Sequence, residues 1–238
     1  KQIILVARRG PQLELLKSSL LESHAHLEVI VEVVDLTDDK ALSELIEKVT
    51  TGEYQPDLLV NNAGMGDLGT LAKSDWPKLN RMLQLNMVVL TRLAHIVIPG
   101  MTERGGGSIL NVSSMASILP IPDFAAYAAS KSYVTSLSEA LRLELREANI
   151  KVTALCPGPI HTEFGDVATR DPKLADMPMK ESAFVSKQQA VQEALRAMRK
   201  NKAQVYPGFK IKMASAAVRL LPLKVIRAVM GKRPRRID

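Results

Sequence analysis

The stretch SILNVSSMASILPIPDFAAYAASK, residues 108 to 131, shows how the whole chain is organised. It begins with an apolar run, Ser108 to Val112, which has the composition of a buried strand. Two serines follow this run, and the segment from Phe124 to Glu147 then has helical periodicity. A buried strand followed by a long helix is the repeating unit of proteins with a parallel sheet.

The same alternation recurs along the chain. Further apolar runs typical of strands lie at Ile3 to Ala7, Leu27 to Val34, Leu58 to Val60, Lys151 to Leu155 and Ala203 to Tyr206. Further helical segments lie at Gln12 to Ser23, Asp38 to Val49, Trp76 to Glu103 and Lys187 to Arg199. The sequence therefore predicts an α/β fold, a doubly wound, Rossmann-type parallel sheet with helices on both faces.

Polar or turn residues follow five of the predicted strands. In an open parallel sheet, ligands bind at the carboxyl ends of the strands, where helix N-termini direct their amides at the ligand. These positions therefore predict one ligand site along a single edge of the sheet. They are Arg8 and Arg9, Asp35, Asn61-Asn62-Ala63-Gly64, Ser113 and Ser114, and Pro157-Gly158.

Tyr127 and Lys131 are four residues apart in a helical segment, so their side chains share one face. A lysine ammonium beside a phenol favours the phenolate and lowers the tyrosine pKa from its usual value of about 10. The spacing alone is weak evidence, because a solvated helix face produces it often. Ser114, thirteen residues before Tyr127, could hydrogen-bond a substrate oxygen beside it.

Together with Asn61-Asn62-Ala63-Gly64 and with Asn86 inside a long helix, these motifs resemble the classical short-chain dehydrogenase/reductase family, from Lys1 to about Tyr206. The resemblance implies that Ser114 orients the carbonyl and that Tyr127 exchanges the proton. It further implies that Lys131 lowers the pKa of Tyr127 and holds the nicotinamide ribose, and that Asn86 positions a water molecule next to Lys131. Ser113 is the main rival of Ser114.

The resemblance also implies a nicotinamide cofactor. Arg8 and Arg9 stand where an acidic residue would select NAD(H), and guanidinium groups bind phosphate, so we expect NADP(H). A glycine at position 158 would permit close backbone approach. The other positions that resemble cofactor contacts are Asp35, Leu36, Asn61, Ala63, Gly64, Pro157, Gly158 and Thr162, besides Tyr127 and Lys131.

The chain departs from the family at its start. No glycine-rich turn matches the one that binds the pyrophosphate, since Gly10 is isolated and Gly64, Gly66 and Gly69 follow a later strand. We therefore expect about thirty further residues before Lys1, which would supply a first, central strand and that turn. The complete sheet would then have seven strands.

The charge of the chain is concentrated at its end. The net charge is +7, but residues 210 to 238 carry +8 and residues 1 to 209 carry −1. We therefore divide the chain into a catalytic domain, 1–209, and a basic amphipathic extension, 210–238, and expect no nucleic-acid partner. The segment from Met213 to Met230, followed by Lys232-Arg233-Pro234-Arg235-Arg236, could lie on an anionic membrane or form a helix packed on the body and broken by Pro222.

The predicted function is reversible hydride transfer between NADP(H) and a small carbonyl or alcohol, with Tyr127 as the general acid and base. The segment Ile118 to Pro122 and the loop Phe164 to Phe184 would border the pocket, and their apolar residues favour an apolar substrate. The alternative is a catalytically silent, NADP-binding regulatory protein of the same fold. The helices Trp76 to Glu103 and Phe124 to Glu147 resemble those through which family members form homodimers or homotetramers.

The remaining features indicate a cytoplasmic protein without a metal. The single cysteine, Cys156, allows no disulfide within the chain, which fits a reducing compartment. His24 and His26 lack neighbouring ligands with suitable spacing, so we assign no metal site. We found no run of about eighteen uncharged apolar residues and predict no membrane-spanning helix.

Overall fold

The computed structural model describes residues 1–169 and 184–232. The chain divides into two compact units, Lys1–Tyr54 and Gln55–Asp238, which are described separately.

The first unit contains two strands and two helices. They are β1 (Gln2–Ala7), α1 (Gly10–Ser23), β2 (Glu28–Val33) and α2 (Asp39–Thr50). The strands are parallel, with Gln2 opposite Glu28 and Ala7 opposite Val33. Helix α2 begins after Asp38, whose carboxylate accepts hydrogen bonds of 2.9 Å from the amides of Lys40 and Ala41.

The second unit contains four strands, which are β3 (Leu58–Asn61), β4 (Gly107–Val112), β5 (Ile150–Leu155) and β6 (Gln204–Val205). Its α-helices are α3 (Trp76–Leu83), α4 (Leu90–Glu103), α5 (Ala125–Glu144), α6 (Phe164–Ala168), α7 (Lys187–Arg199), α8 (Phe209–Leu220) and α9 (Leu223–Gly231). A π-helix, Gln84–Val89, joins α3 to α4, and short 3₁₀ turns lie at Leu71–Lys73 and Met115–Ile118.

The four strands of the second unit form one parallel sheet in the order β3-β4-β5-β6. Ile109 and Val152, on its central strands, are fully buried. Strands buried on both faces have nearly continuous apolar sequences, and this explains why the runs of β4 and β5 could be recognised. The carboxyl ends of β3, β4 and β5 lie side by side and present the residues that follow them at one edge.

The helix from Trp76 to Glu103, made of α3, the π-helix and α4, is long and apolar enough to cross a membrane by length and composition alone. Core helices of soluble proteins pass the same test. Met82, Val97 and Met101 of this helix are buried in the protein core. The expectation that no helix spans a membrane stays a prediction.

The predicted fold class is confirmed, since parallel strands alternate with helices in both units. The six strands and five helices expected from the sequence are present, with ends that shift by at most a few residues. The strands form sheets of two and four, and the additional strand expected before Lys1 stays a prediction. The boundary between residues 209 and 210 also stays a prediction. Residues 170–183 of the apolar loop and the basic residues 233–236 lie outside the described residues.

Candidate active site

Tyr127 lies in the first turn of α5 and is buried. The side chain of Ser114, which follows β4, lies beside the Tyr127 hydroxyl and lowers the pKa of Tyr127. The same Ser114 hydroxyl caps the 3₁₀ turn by accepting a hydrogen bond of 3.1 Å from the amide of Ala116. Strand β4 and helix α5 thus bring together the two hydroxyl groups that the sequence analysis paired.

Ser113 has a different environment from Ser114. Its hydroxyl donates a 2.8 Å hydrogen bond to the carbonyl of Lys131 and lies 2.7 Å from the Thr135 hydroxyl. These contacts tie β4 to α5 and direct the Ser113 side chain away from Tyr127. The geometry therefore favours Ser114 over its rival as the residue that touches a substrate.

Lys131 lies one turn after Tyr127 and is also buried. Its ammonium donates a 2.8 Å hydrogen bond to the carbonyl of Val112 and lies 5.8 Å from the centre of the Tyr127 ring. A Cβ atom added to Gly64 would lie 3.4 Å from this ammonium. The backbone after β3 thus passes within van der Waals distance of the Lys131 side chain on α5.

Asn86 lies in the π-helix and its side chain is completely engaged. Its Oδ1 accepts from the amide of Met65 at 2.9 Å, and its Nδ2 donates to the Met65 carbonyl at 2.9 Å and to the Ser130 hydroxyl at 3.1 Å. Ser130 in turn donates to the carbonyl of Tyr127 at 2.8 Å. Asn86 thus fixes the loop after β3 against the start of α5, while its action on a water molecule stays a prediction. π-Turns within α-helices occur frequently at functional sites.

Burial dominates the electrostatics of the Tyr127 and Lys131 side chains. It raises the pKa of Tyr127 to about 12, although the hydrogen bond with Ser114 acts in the opposite direction. Burial also lowers the pKa of Lys131 to about 8. The expectation that Lys131 lowers the pKa of Tyr127 is not met in this geometry, because desolvation disfavours the charged form of both groups and the ammonium is directed at Val112.

Two aromatic side chains surround Tyr127: Phe124, which the sequence analysis did not assign, and Phe164, from the loop that it placed at the border of the pocket. The ring of Phe124 stacks on that of Tyr127 with centres 4.2 Å apart, and the ring of Phe164 from α6 lies 5.5 Å away. Phe124 comes three residues before Tyr127, so helical spacing could have indicated it. No local pattern links Phe164, 37 residues further along, to Tyr127.

Helix α6 is attached to the body next to Tyr127 through a lysine on α3. The ammonium of Lys78 donates to the carbonyl of Val167 at 3.3 Å and lies 3.7 Å from the carboxylate of Asp67. The amide of Leu68 also donates to the carbonyl of Ala168 at 2.8 Å. These contacts hold Phe164 beside the reactive hydroxyl.

The residues after β3 divide into a buried and an exposed group. Asn61 is buried, and its Nδ2 donates to Asn111 Oδ1 at 2.9 Å and to the carbonyl of Leu90 at 3.3 Å. Its side chain therefore has a structural role, and a cofactor contact at Asn61 would involve its backbone. Ala63 is exposed and Gly64 half-buried, so both present backbone at the carboxyl edge of the sheet.

The residues after β5 also lie at this edge. The carbonyl of Pro157 accepts from the amide of Met115 at 2.8 Å, and exposed Thr162 accepts from the amide of Phe164 at 3.3 Å. Gly158 does meet a close neighbour, since an added Cβ would lie 2.6 Å from Ile211 Cδ1 of α8. The need for glycine there comes from the packing of the C-terminal extension.

In the first unit, the predicted adenosine contacts follow β1 and β2. Arg8 and Asp35 form an exposed ion pair of 3.9 Å. The Oδ1 atom of Asp35 also accepts from the amide and hydroxyl of Thr37 at 2.9 and 2.7 Å. Arg9 is exposed at the start of α1, and Leu36 is buried. Within residues 1–169 and 184–232 no group of three or more metal-ligating side chains occurs.

Comparison with known proteins agrees with this geometry. The sequence profile of the short chain dehydrogenase family matches residues 1–173. A short-chain dehydrogenase from Sphingobium yanoikuyae, solved in complex with NADPH, is 26% identical, has a TM-score of 0.80, and is aligned over 100% of this chain and 88% of its own.

Two curated relatives are reductases. Sulfoacetaldehyde reductase 2 of Chromohalobacter salexigens is 33% identical over 172 residues, which are 70% of this chain and 66% of that protein. The 3-ketodihydrosphingosine reductase of Bacteroides thetaiotaomicron is 34% identical over 134 residues, which are 56% of this chain and 50% of that protein. The chain thus spans two thirds or less of the length of these relatives. Since the family profile covers most of its length, the chain belongs to the short-chain dehydrogenase/reductase family.

Proposed function

We propose that this protein interconverts a carbonyl and an alcohol with NADP(H), using Tyr127 as the general acid and base. The observation that carries this proposal is the position of the half-buried Ser114 side chain beside the buried Tyr127 hydroxyl, whose pKa it lowers, with the Lys131 ammonium one helical turn away. General acid–base catalysis requires such hydrogen-bond reach between the proton donor and the reacting oxygen.

In the proposed reduction, Ser114 donates a hydrogen bond to the carbonyl oxygen and orients it towards Tyr127. The hydride that reaches the carbonyl carbon would come from NADPH when it is bound. As negative charge develops on the oxygen, the Tyr127 hydroxyl transfers its proton to it. Oxidation of the alcohol reverses these steps, with Tyr127 accepting the proton.

Each unit has residues that suit a part of a nicotinamide cofactor. Lys131 has three N–H donors, of which one is directed at Val112, so others can hold the ribose hydroxyls. Ala63 is exposed and Gly64 half-buried, so their backbone is accessible to a ligand. In the first unit, the Arg8 side chain is 55% exposed and can bind a 2′-phosphate. The NADPH complex of the Sphingobium relative supports this choice.

A spectrophotometric screen tests the proposal. Purified protein is mixed with NADPH or NADH and a panel of ketones and aldehydes that includes sulfoacetaldehyde and 3-ketodihydrosphingosine, after the relatives' names. Loss of nicotinamide absorbance with NADPH is expected, and an apolar substrate is expected to react best. Tight NADPH binding without turnover of any compound would instead favour the silent regulatory protein.

Two further properties belong to the same proposal. We expect a homodimer or homotetramer formed through the helix pair that contains Trp76 to Glu103 and α5, and light scattering measures its mass. We expect a cytoplasmic location because the single cysteine is buried and allows no disulfide within the chain. Fractionation of the source cells would test this location.

A further inference from the structure

Helix α8 has two apolar faces, of which the inner one packs on the protein. Ile211 is buried against Gly158, and it belongs to a core cluster with Cys156 and Tyr206. Ser215, one turn later, is buried on the same side. The inner face is therefore already occupied, and it fixes the orientation of the helix.

The outer face of α8 carries large apolar side chains that are exposed. Phe209, Met213 and Leu220 lie four and seven residues apart, which places them on one side of the helix. Their side chains are 77%, 53% and 85% exposed. Leu221 and Leu223 extend this exposed surface into the start of α9. A contiguous apolar surface of this kind indicates an interaction site.

Basic residues border this apolar face on both sides. At 3.6 residues per turn, Lys210 lies on one flank of the stripe, and Lys212 and Arg219 lie on the other. Arg219 is held in place by hydrogen bonds to Gln204 and Tyr206. From Lys210 to Lys232 the chain has six basic residues and no acidic residue.

We propose that the outer face of α8 docks on an anionic lipid bilayer. An apolar stripe with flanking cations is the arrangement of helices that lie in the membrane interface, with apolar groups among the acyl chains and cations at the headgroups. The positive charge along this face disfavours a second copy of the chain as the partner. A two-fold interface would place the same cations of both copies against each other.

This docking would bring the candidate active site close to the lipid. Helix α8 packs through Ile211 on Gly158, directly after β5, and therefore at the sheet edge that carries Ser114 and Tyr127. The proposal itself does not depend on the reaction proposed above, because it rests on the exposed face and its charge. Its test accordingly measures binding.

Cosedimentation with vesicles tests the proposal. The full chain is mixed with vesicles of phosphatidylcholine alone or of phosphatidylcholine and phosphatidylglycerol. We expect it to sediment with the anionic vesicles and to be released by high salt. The triple variant Phe209→Ser, Met213→Ser, Leu220→Ser should bind the anionic vesicles at least about 100-fold more weakly. The double variant Lys210→Gln, Lys212→Gln should bind roughly 30-fold more weakly.

The matched control replaces exposed apolar residues elsewhere in the second unit, with Leu143→Ser on α5 and Val191→Ser on α7. This variant should bind vesicles as wild type does. Circular dichroism confirms that each variant is folded. Equal binding of the wild type and the triple variant to anionic vesicles would overturn the proposal. A lower oligomer mass in the triple variant, without vesicle binding by the wild type, would identify the face as an interface between copies instead and would also overturn it.

Discussion

Two pairs of ionisable side chains in this protein lie in opposite environments. Tyr127 and Lys131 are buried in the second unit, where desolvation raises the pKa of Tyr127 to about 12 and lowers that of Lys131 to about 8. Arg8 and Asp35, in the first unit, form a 3.9 Å ion pair with both side chains substantially exposed. Solvent screens the exposed pair, so it contributes little to folding and remains available to a ligand. The pKa values of the buried pair are therefore set by the surrounding protein, whereas the exposed pair can exchange its contact for one with a bound ligand.

The sharpest test of the buried pair is Tyr127→Phe. Removing the hydroxyl removes the proton donor, so we expect turnover to fall by about 10²- to 10⁴-fold. Cofactor affinity should be unchanged, because the ring and its packing on Phe124 remain. Steady-state kinetics and NADPH titration measure the two effects.

Tyr133→Phe is the control for this change. Tyr133 lies on the same helix, and its hydroxyl is 2.8 Å from that of Thr91. Turnover should remain close to wild type. If Tyr127→Phe weakened cofactor binding as much as turnover, the role assigned to Tyr127 would be wrong.

Lys131→Met tests the burial of the ammonium through stability. Burial lowers the pKa of Lys131 from 10.5 to about 8, so between these values the unfolded chain binds more protons than the folded one. The free energy of unfolding should therefore rise with pH across this window, by up to about 3 kcal/mol. Above pH 10 the raised pKa of Tyr127 acts in the opposite direction, because the folded protein then retains the proton.

Urea denaturation between pH 8 and pH 10 measures this effect. The rise should disappear in Lys131→Met and persist in Lys187→Met, which alters an exposed lysine of α7. An equal rise in both variants would show that another group causes it.

Arg8→Ala tests the exposed pair. A charge-assisted contact to a 2′-phosphate contributes about 1.5–3 kcal/mol, so we expect NADPH to bind about tenfold to a hundredfold more weakly. Binding of NADH should change little, since its ribose offers no phosphate. Arg9→Ala, measured in parallel, shows how the two arginines share the contact.

The control, Lys40→Ala, removes another exposed cation from the same unit, and it should leave both affinities unchanged. A wild type that binds NADH as tightly as NADPH would contradict the assignment of Arg8 and Arg9.

A smaller effect on activity is expected from Lys78→Ala, which removes contacts that hold α6 beside Tyr127. Loss of the contacts to Val167 and Asp67 should let Phe164 move away from Tyr127. We expect KM to rise several-fold, while kcat changes less. Lys78→Arg should restore KM, and Lys73→Ala, an exposed neighbour, should have no effect. A fall in kcat alone would show that α6 does not position the substrate.

The strands and the grouping of Ser114, Tyr127 and Lys131 could be predicted from the sequence because their signals are local. The apolar runs of β4 and β5 mark buried strands, and the spacing of Tyr127 and Lys131 follows from one helical turn. Helix α6 has only five residues, too few for a periodic pattern, and its place beside Tyr127 depends on Lys78 from a distant segment.

The pKa values of Tyr127 and Lys131 could not be predicted, because they too depend on segments that are distant in the sequence. The pKa of Tyr127 depends on how much solvent the surrounding chain excludes, and the direction of the Lys131 ammonium depends on the Val112 carbonyl of a neighbouring strand. Spacing in the sequence reports neither quantity. The close contact of Gly158 with Ile211 likewise joins segments far apart in the chain.

The burial of Cys156 has a kinetic consequence. The thiol is fully enclosed next to Tyr206 and Ile211, and burial raises its pKa, so alkylating reagents can reach the thiolate only when this packing opens. Because the chain has one cysteine, the rate of alkylation reports the opening of a single region, where β5 meets α7 and α8. The alkylation rate of Cys156 thus measures how often the C-terminal part of the core opens.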